Sequence, residues 1–279
     1  AMPQPTTTLV AVDIGNSRIK LGRFERGSAA RGLPEPAATI ELPLTNQAGE
    51  FDRAGFESWC RANVAGDAAW LASSVHRGAS EQLAAAVAAI SRDMGRNWTV
   101  RQVTFIDVPL VVEVDAPDRV GMDRLMGAVA ADRLRPKDRA AIVVDLGTAT
   151  KLCLLTDVGA FVGGAILPGL AMSARALEEQ TDALPHVNVE HWQTPPRALG
   201  KSTIPAIEAG IFWGAVGAAR ELITQYSKGL DQPPAVFVTG GGSALVAEVL
   251  AADGPIQLQH LPHLVLSGVA IVDATLNRQ

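Results

Sequence analysis

Residues 10–22 read VAVDIGNSRIKLG, and residues 142–154 read IVVDLGTATKLCL. Each stretch opens as an apolar run, ends it on a carboxylate (Asp13 or Asp145), and places a glycine two residues later. In the first, the chain resumes with alternating Ile19 and Leu21. A strand, a tight turn and a returning strand make a β-hairpin. Gly15 has no Cβ, so the backbone there can approach a ligand closely. Asn16, Ser17, Arg18 and Lys20 surround that turn with donors and positive charge. Such groups suit a polyphosphate, and Asp13 at the strand end can face its metal. One copy alone also fits an ordinary polar hairpin. Two copies, with Asn16 and Ser17 set against Thr148 and Ala149, imply two similar domains whose hairpins face one cleft. An ATP-dependent phosphotransferase needs that geometry.

The rest of the composition bounds the reading. With 279 residues and 48% hydrophobic content, the chain suits one large or two medium domains. A net charge of -5 leaves no electrostatic footprint for nucleic acid. Cys60 and Cys153 are the only two cysteines, too few for a disulfide framework or a zinc site, so a reducing, cytoplasmic setting is expected. The opening residues AMPQPTTT lack the charged and apolar regions of a signal peptide. No apolar run reaches the roughly 18 residues of a membrane span.

Periodicity places the other elements. Residues 38–44 alternate like a strand, 51–64 have helical spacing with Phe56 and Trp59 on one side, and 69–75 form a buried strand. A helix is predicted over 81–94, strands over 98–106 and 110–114, and a break at 117–121. The second half predicts helices over 122–135, 170–184, 202–226 and 244–252, and a strand over 235–242 running into a glycine loop. The chain closes on a helix within 264–276, starting near Gly268. Residues 27–36 and 186–199 read as loops. The alternation is that of an α/β layered protein, with domains expected over 1–120 and 121–279.

Two further clusters carry chemistry. Gly121, Met122, Asp123 and Arg124 open a helix, where the positive helix end favours an anion. Asp123 can orient or deprotonate a hydroxyl, and Arg124 can grip a carboxylate or phosphate. A capping Asp beside a surface Arg fits the same residues. Thr239-Gly240-Gly241-Gly242-Ser243 is a strand end followed by glycines, against which a base or ribose can lie. Gly200-Lys201-Ser202 imitates the end of a P-loop, but a proline loop precedes it where a strand is required. His260 and His263 have helical spacing and read as structural.

DIGNSRIKLG, GMDR, DLGTAT, GGAILPG and TGGG, in this order, resemble the type III pantothenate kinases, and the resemblance runs along almost the whole chain. The stretch AIEAGIFWGAVGAARELI is similar to that family's dimer-region helix. The resemblance implies two ribonuclease H-like domains of the actin and sugar-kinase superfamily around a central cleft. It implies phosphorylation of the primary hydroxyl of pantothenate by ATP, the first step toward coenzyme A. Magnesium and a monovalent cation, K+ or NH4+, are implied as cofactors. A homodimer with the substrate site at its interface is implied as well. By motif, Asp13, Ile14, Gly15, Asn16, Ser17, Arg18, Ile19 and Lys20 would hold the ATP phosphates, joined by Thr148. Asp145 would bind the monovalent cation. Gly121, Met122, Asp123 and Arg124 would bind pantothenate, with Asp123 as proton acceptor and Thr181 reaching in from the partner subunit.

The sequence departs from that pattern twice. The family's usual Tyr seven residues before the Gly of GxDR is here Val114, and a usual Thr in the second hairpin is here Lys151. The first bears on the substrate pocket, the second on the cation, since an extra ammonium can hold phosphate or displace potassium. Two rival readings follow: a degenerate, nucleotide-binding regulator of the same fold, and a kinase of another small alcohol.

Overall fold

A computed structural model of the chain describes residues 7–27, 32–44, 52–252 and 257–278. The opening residues 1–6, residues 28–31 of the expected 27–36 loop and residue 51 of the expected first helix lie outside the described residues.

The first hairpin joins β1 (Thr8–Ile14) to β2 (Arg18–Glu25) in antiparallel register. Strand β3 (Ala38–Pro43) lies outside β2, while β4 (Ala68–Ser74) and β5 (Thr99–Gln102) continue the sheet in parallel on the other side of β1. The order is β3-β2-β1-β4-β5. Strand β1 is central and covered on both faces, which is why Val10, Ala11 and Val12 form an unbroken apolar run instead of alternating. Helices α1 (Arg53–Asn63) and α2 (Arg77–Asp93) supply part of that cover. Asp52 starts α1 by accepting the Gly55 amide at 3.0 Å, satisfying one of the helix's unpaired donors. Phe56, Trp70 and Trp98 stack edge-on and tilted in the core beneath.

The second sheet repeats this plan. Strands β6 (Ala141–Leu146), β7 (Ala149–Leu155) and β8 (Phe161–Pro168) are antiparallel, and β9 (Ala235–Thr239) and β10 (Leu258–His260) run parallel on the other side of β6. Its order, β10-β9-β6-β7-β8, is the first sheet's order read from the other edge. Two antiparallel pairs followed by parallel crossovers through helices give the ribonuclease H-like arrangement, present twice. Helices α4 (Leu170–Glu179), α5 (Thr203–Ser227) and α6 (Ser243–Ala252) accompany this sheet. Phe212, Val216, Ala219 and Ile223 of α5 pack with Ile142, Val144, Val236 and Val238.

Two helices remain, α3 (Met122–Leu134) and α7 (Leu264–Leu276). The chain divides into two compact units, one of Ala1–Leu110, Asp115–Leu134 and His263–Gln279, the other of Val111–Val114 and Arg135–Pro262. Helices α3 and α7, both from the part of the chain read as the second domain, therefore belong with the first sheet. Gly268 explains how they pack. A Cβ there would run into the backbone of Met126, so only glycine lets the two helices touch. Arg26, just past β2, holds Asp273 of α7 through two hydrogen bonds of 2.8 and 2.5 Å, a bidentate ion pair.

Several boundaries differ from the sequence reading. The closing helix begins at Leu264, not near Gly268, because Gly268 is a contact residue inside it. Helix α2 begins at Arg77, a turn early, because the His76 ring accepts the Ala79 amide as an N-cap. Helix α4 stops at Glu179, and the strand expected over 98–106 is only four residues long before a 3-10 turn. Residues 110–114 form no strand. They make one isolated bridge, in which Glu113 and Val111 exchange backbone hydrogen bonds with Phe161 alone. Strand β10, three residues long, has no counterpart in the sequence reading.

Candidate active site

In the first unit the chemistry gathers at the carboxyl ends of β1 and β4. Asp13 is the next-to-last residue of β1, half-buried, and sits opposite Lys20 on β2 and Ser73 on β4. Gly15, Asn16 and Ser17 make the turn, closed by the Gly15 amide on the Arg18 carbonyl at 3.0 Å. The cations expected to meet phosphate have a protein partner here. Arg18 lies 3.2 Å and Lys20 3.5 Å from the two carboxylate oxygens of Glu41 on β3. These pairs are partly solvent-accessible and weak, so an anionic ligand can compete for both.

Beyond Ile14, the Val75 amide donates to its carbonyl at 3.0 Å, tying the β4 end to the hairpin. Gly121 lies over Val75, at 3.7 Å from where its own Cβ would stand. The start of α3 is thus set beside the hairpin end within the same unit. Asp123 Oδ1 accepts the Arg124 amide at 2.8 Å and folds back over Gly121. A Cβ on Gly121 would come within 2.7 Å of that oxygen, so glycine makes room for the carboxylate. Gly121, Met122, Asp123 and Arg124 are all half-buried.

In the second unit the hairpin turn is Gly147-Thr148, between β6 and β7. Gly169, which caps α4, braces it: a Cβ there would strike the carbonyls of Gly147 and Thr148. That contact accounts for the last glycine of GGAILPG. Asp145 faces Thr239 on β9 and Lys151 on β7. Lys151 Nζ lies 2.7 Å from Asp145 Oδ2, with the two side chains only 14% and 17% exposed. The other oxygen, Oδ1, faces the glycine loop, where a Cβ on Gly240 would come within 2.7 Å of it. Gly240 has φ +102, a conformation that favours glycine. The Gly242 amide then donates to the Leu146 carbonyl at 3.0 Å.

That glycine loop has a clamp that the sequence alone does not reveal. Ser243 Oγ lies 2.5 Å from the Gly240 carbonyl and 2.7 Å from His260 Nε2. A carbonyl only accepts, so the hydroxyl donates to it, and His260 donates through Nε2–H. Burial pushes the His260 pKa below its usual value. The helical spacing of His260 and His263 is not realised, since the first ends β10 and the second precedes α7. Cys153 is buried as expected, and burial raises the Cys60 thiol to about 12, so neither is exposed as a ligand or nucleophile.

Thr181 lies past the end of α4 in the second unit and is exposed. Its hydroxyl donates to the Leu177 carbonyl at 2.8 Å and accepts the Leu184 amide at 3.3 Å. Val114 meets Gly163 of β8, 3.6 Å from where a Cβ would stand. Gly200-Lys201-Ser202 is preceded by loop and a 3-10 turn and simply opens α5, which removes the P-loop imitation. Among the described residues no helix is long and apolar enough to cross a membrane.

Comparison with known proteins adds the family. A family model described as type III pantothenate kinase matches residues 9–225. A type III pantothenate kinase of Dehalococcoides mccartyi is 32% identical over 273 residues, covering 95% of this chain and 96% of the relative. One from Acidiphilium cryptum is 36% identical over 168 residues, 60% of this chain and 59% of the relative. Among solved structures, Bacillus thuringiensis ParM with ADP superposes with a TM-score of 0.51 at 9% identity, covering 98% of this chain and 99% of that one, a likeness of fold. With the model spanning most of the sequence and a relative matched nearly end to end, this chain belongs to the type III pantothenate kinase family.

Proposed function

We propose that this protein transfers the terminal phosphoryl group of ATP to the primary hydroxyl of pantothenate, forming 4'-phosphopantothenate for coenzyme A synthesis. Family membership carries the reading, and the duplicated Asp-x-Gly hairpins give it residues. Phosphoryl transfer is mostly positioning and charge neutralisation, so the residues required are donors, cations and one oriented carboxylate. The turn from Asp13 to Lys20, with Ile14 and Ile19 anchoring it in the core, is assigned to the phosphates. Thr148 adds a hydroxyl to them. Magnesium, when bound, would neutralise phosphate charge, and the Asp13 carboxylate is an oxygen donor of the type it takes.

Gly121, Met122, Asp123 and Arg124 are assigned to pantothenate. Arg124 offers a fork that matches the substrate carboxylate. Asp123 accepts the hydroxyl proton. A carboxylate is a weak base, and it suffices because a loose transition state asks little of the base until late. Asp145 is assigned a monovalent positive charge, for which K+ or NH4+ is the form the resemblance implies. The exposed small residues Ala206, Gly210, Gly214 and Gly217 on α5 support a homodimer, since a Cβ on any of these glycines meets nothing within 4 Å. Thr181, also exposed, is assigned to the partner's substrate site. ATP use and two buried thiols fit a cytoplasmic setting.

An ADP-release assay with pantothenate, and with sugars and glycerol as competitors, tests the substrate. Failure to turn over by protein that binds both ATP and pantothenate would overturn the reading. Asp123→Asn is expected to keep the fold and ATP affinity while lowering kcat by about a hundredfold or more, within the range general base catalysis supplies. Near-normal kcat in that variant rejects the role of Asp123.

A further inference from the structure

The cation assigned to Asp145 does not fit the residues present. Oδ2 is taken by the Lys151 ammonium at 2.7 Å, and Oδ1 faces the glycine loop. A dissolved potassium ion would have to displace Lys151 or share one carboxylate with it, and two positive charges so placed repel. We infer that Lys151 is itself the monovalent cation of this site, a tethered ammonium that makes the chain independent of added K+ or NH4+. The inference rests on the phosphotransfer reading above.

Four observations support it. Lysine ends in an alkylated ammonium, so it carries the charge of NH4+ and all but one of its N–H donors. The side chain is placed by the sheet, because Lys151 is the direct antiparallel partner of Asp145. The residue in register with Lys151 on the next strand is Ile166, which offers no competing carboxylate. The pair is largely withdrawn from solvent, so salt screens it little. Tethering also sets the effective concentration, about millimolar or higher for a group held on a short chain, whatever the solution contains.

The test compares turnover in choline chloride with turnover in potassium or ammonium chloride at equal ionic strength, with Mg-ATP and pantothenate saturating. Wild-type rates are expected to agree within about twofold, and a rise of about tenfold or more with potassium overturns the inference. Lys151→Ala opens a space the size of a small cation. It is expected to lose about tenfold or more in choline and to recover with ammonium or potassium. Lys151→Met fills the same space without charge and is expected to lose activity in all three salts. Recovery of Lys151→Met in any salt, or no loss in Lys151→Ala, overturns the inference. Calorimetric ATP affinity of the wild-type protein gives a readout that does not need turnover. It is expected to be equal in choline and potassium, and potassium-dependent affinity overturns the inference. Absence of turnover in every salt counts against the kinase reading instead, and the affinity comparison still decides the cation.

Discussion

The two hairpins share a frame and differ in where one lysine points. In each, the Asp of Asp-x-Gly is the direct cross-strand partner of a lysine, Lys20 for Asp13 and Lys151 for Asp145. In the first, the ammonium leaves its facing carboxylate and pairs with Glu41. In the second, it stays on Asp145. The third strand decides which. The residue in register with Lys20 is Glu41 on β3, and the residue in register with Lys151 is Ile166 on β8. One position on an edge strand thus sorts two similar hairpins into different pairings. The first holds Lys20 on a carboxylate partly open to solvent. The second keeps a largely buried internal ion pair.

The most direct way to break the comparison is to remove each carboxylate. Asp145→Asn strips the counter-ion from a mostly buried ammonium, and a loss of about 2 kcal/mol is expected, measured by urea unfolding. Asp13→Asn strands no ammonium, since Glu41 holds Lys20, and its stability loss is expected to be the smaller of the two. Equal losses would mean that the two lysines are not differently engaged.

Exchanging the third-strand residues should exchange the behaviour. Ile166 is 62% exposed, so Ile166→Glu adds a carboxylate without burying it. It is expected to draw Lys151 off Asp145 and to raise turnover on adding potassium by roughly threefold, about 0.65 kcal/mol. The reciprocal change, Glu41→Ile, should return Lys20 to Asp13. A double-mutant cycle of Lys20→Ala and Asp13→Asn is expected to show coupling near zero in the wild type and about 0.5 kcal/mol in the Glu41→Ile background. No change in either cycle or potassium response would remove the third strand as the deciding element.

Much of this is legible in the amino-acid sequence, and the part that is not has a physical reason. The repeated Asp-x-Gly endings, the glycine of GMDR and the glycine loop are local signals, and each lies at the strand end or helix start that the sequence predicts. The equivalence of Lys20 and Lys151 is hidden by a turn one residue longer in the first hairpin. Aligning Asp13 with Asp145 without a gap sets Ile19, not Lys20, against Lys151. The part played by Glu41 is a matter of register between β2 and β3, and no local pattern sets the length of the loop that separates them. Gly268 reads as a helix start because glycine is usually punctuation. Here it is the point where α7 touches the Met126 backbone, a tertiary demand that no local pattern records. Strand β10 is too short to show periodicity, so the sequence marks His260 as structural without showing its partner, Ser243.

The smallest expected effect lies at the strand that pairs in parallel with the first strand of each hairpin. In the first unit β4 ends on Ser74 and passes into Val75-His76, with His76 spent on capping α2. In the second, β9 passes into three glycines that have no side chains to hold them, and Ser243 with His260 holds the loop instead. Burial lowers the His260 pKa in the folded protein below its ordinary value of 6.5. The folded state therefore binds this proton less readily than the unfolded chain does. Its contribution to stability is complete above pH 6.5 and is lost as pH falls through the lowered folded value. Protonation leaves the Nε2–H bond to Ser243 intact, so the loss comes from partly desolvating the charge and not from releasing the loop. A glutamine side chain can still donate to Ser243 and does not titrate. His260→Gln is accordingly expected to flatten part of the decline in unfolding free energy on the acid side of pH 6.5, read as the difference between variant and wild-type urea midpoints. If His260→Gln leaves the acid limb unchanged, the desolvated imidazole at the glycine loop contributes nothing to the pH dependence of stability.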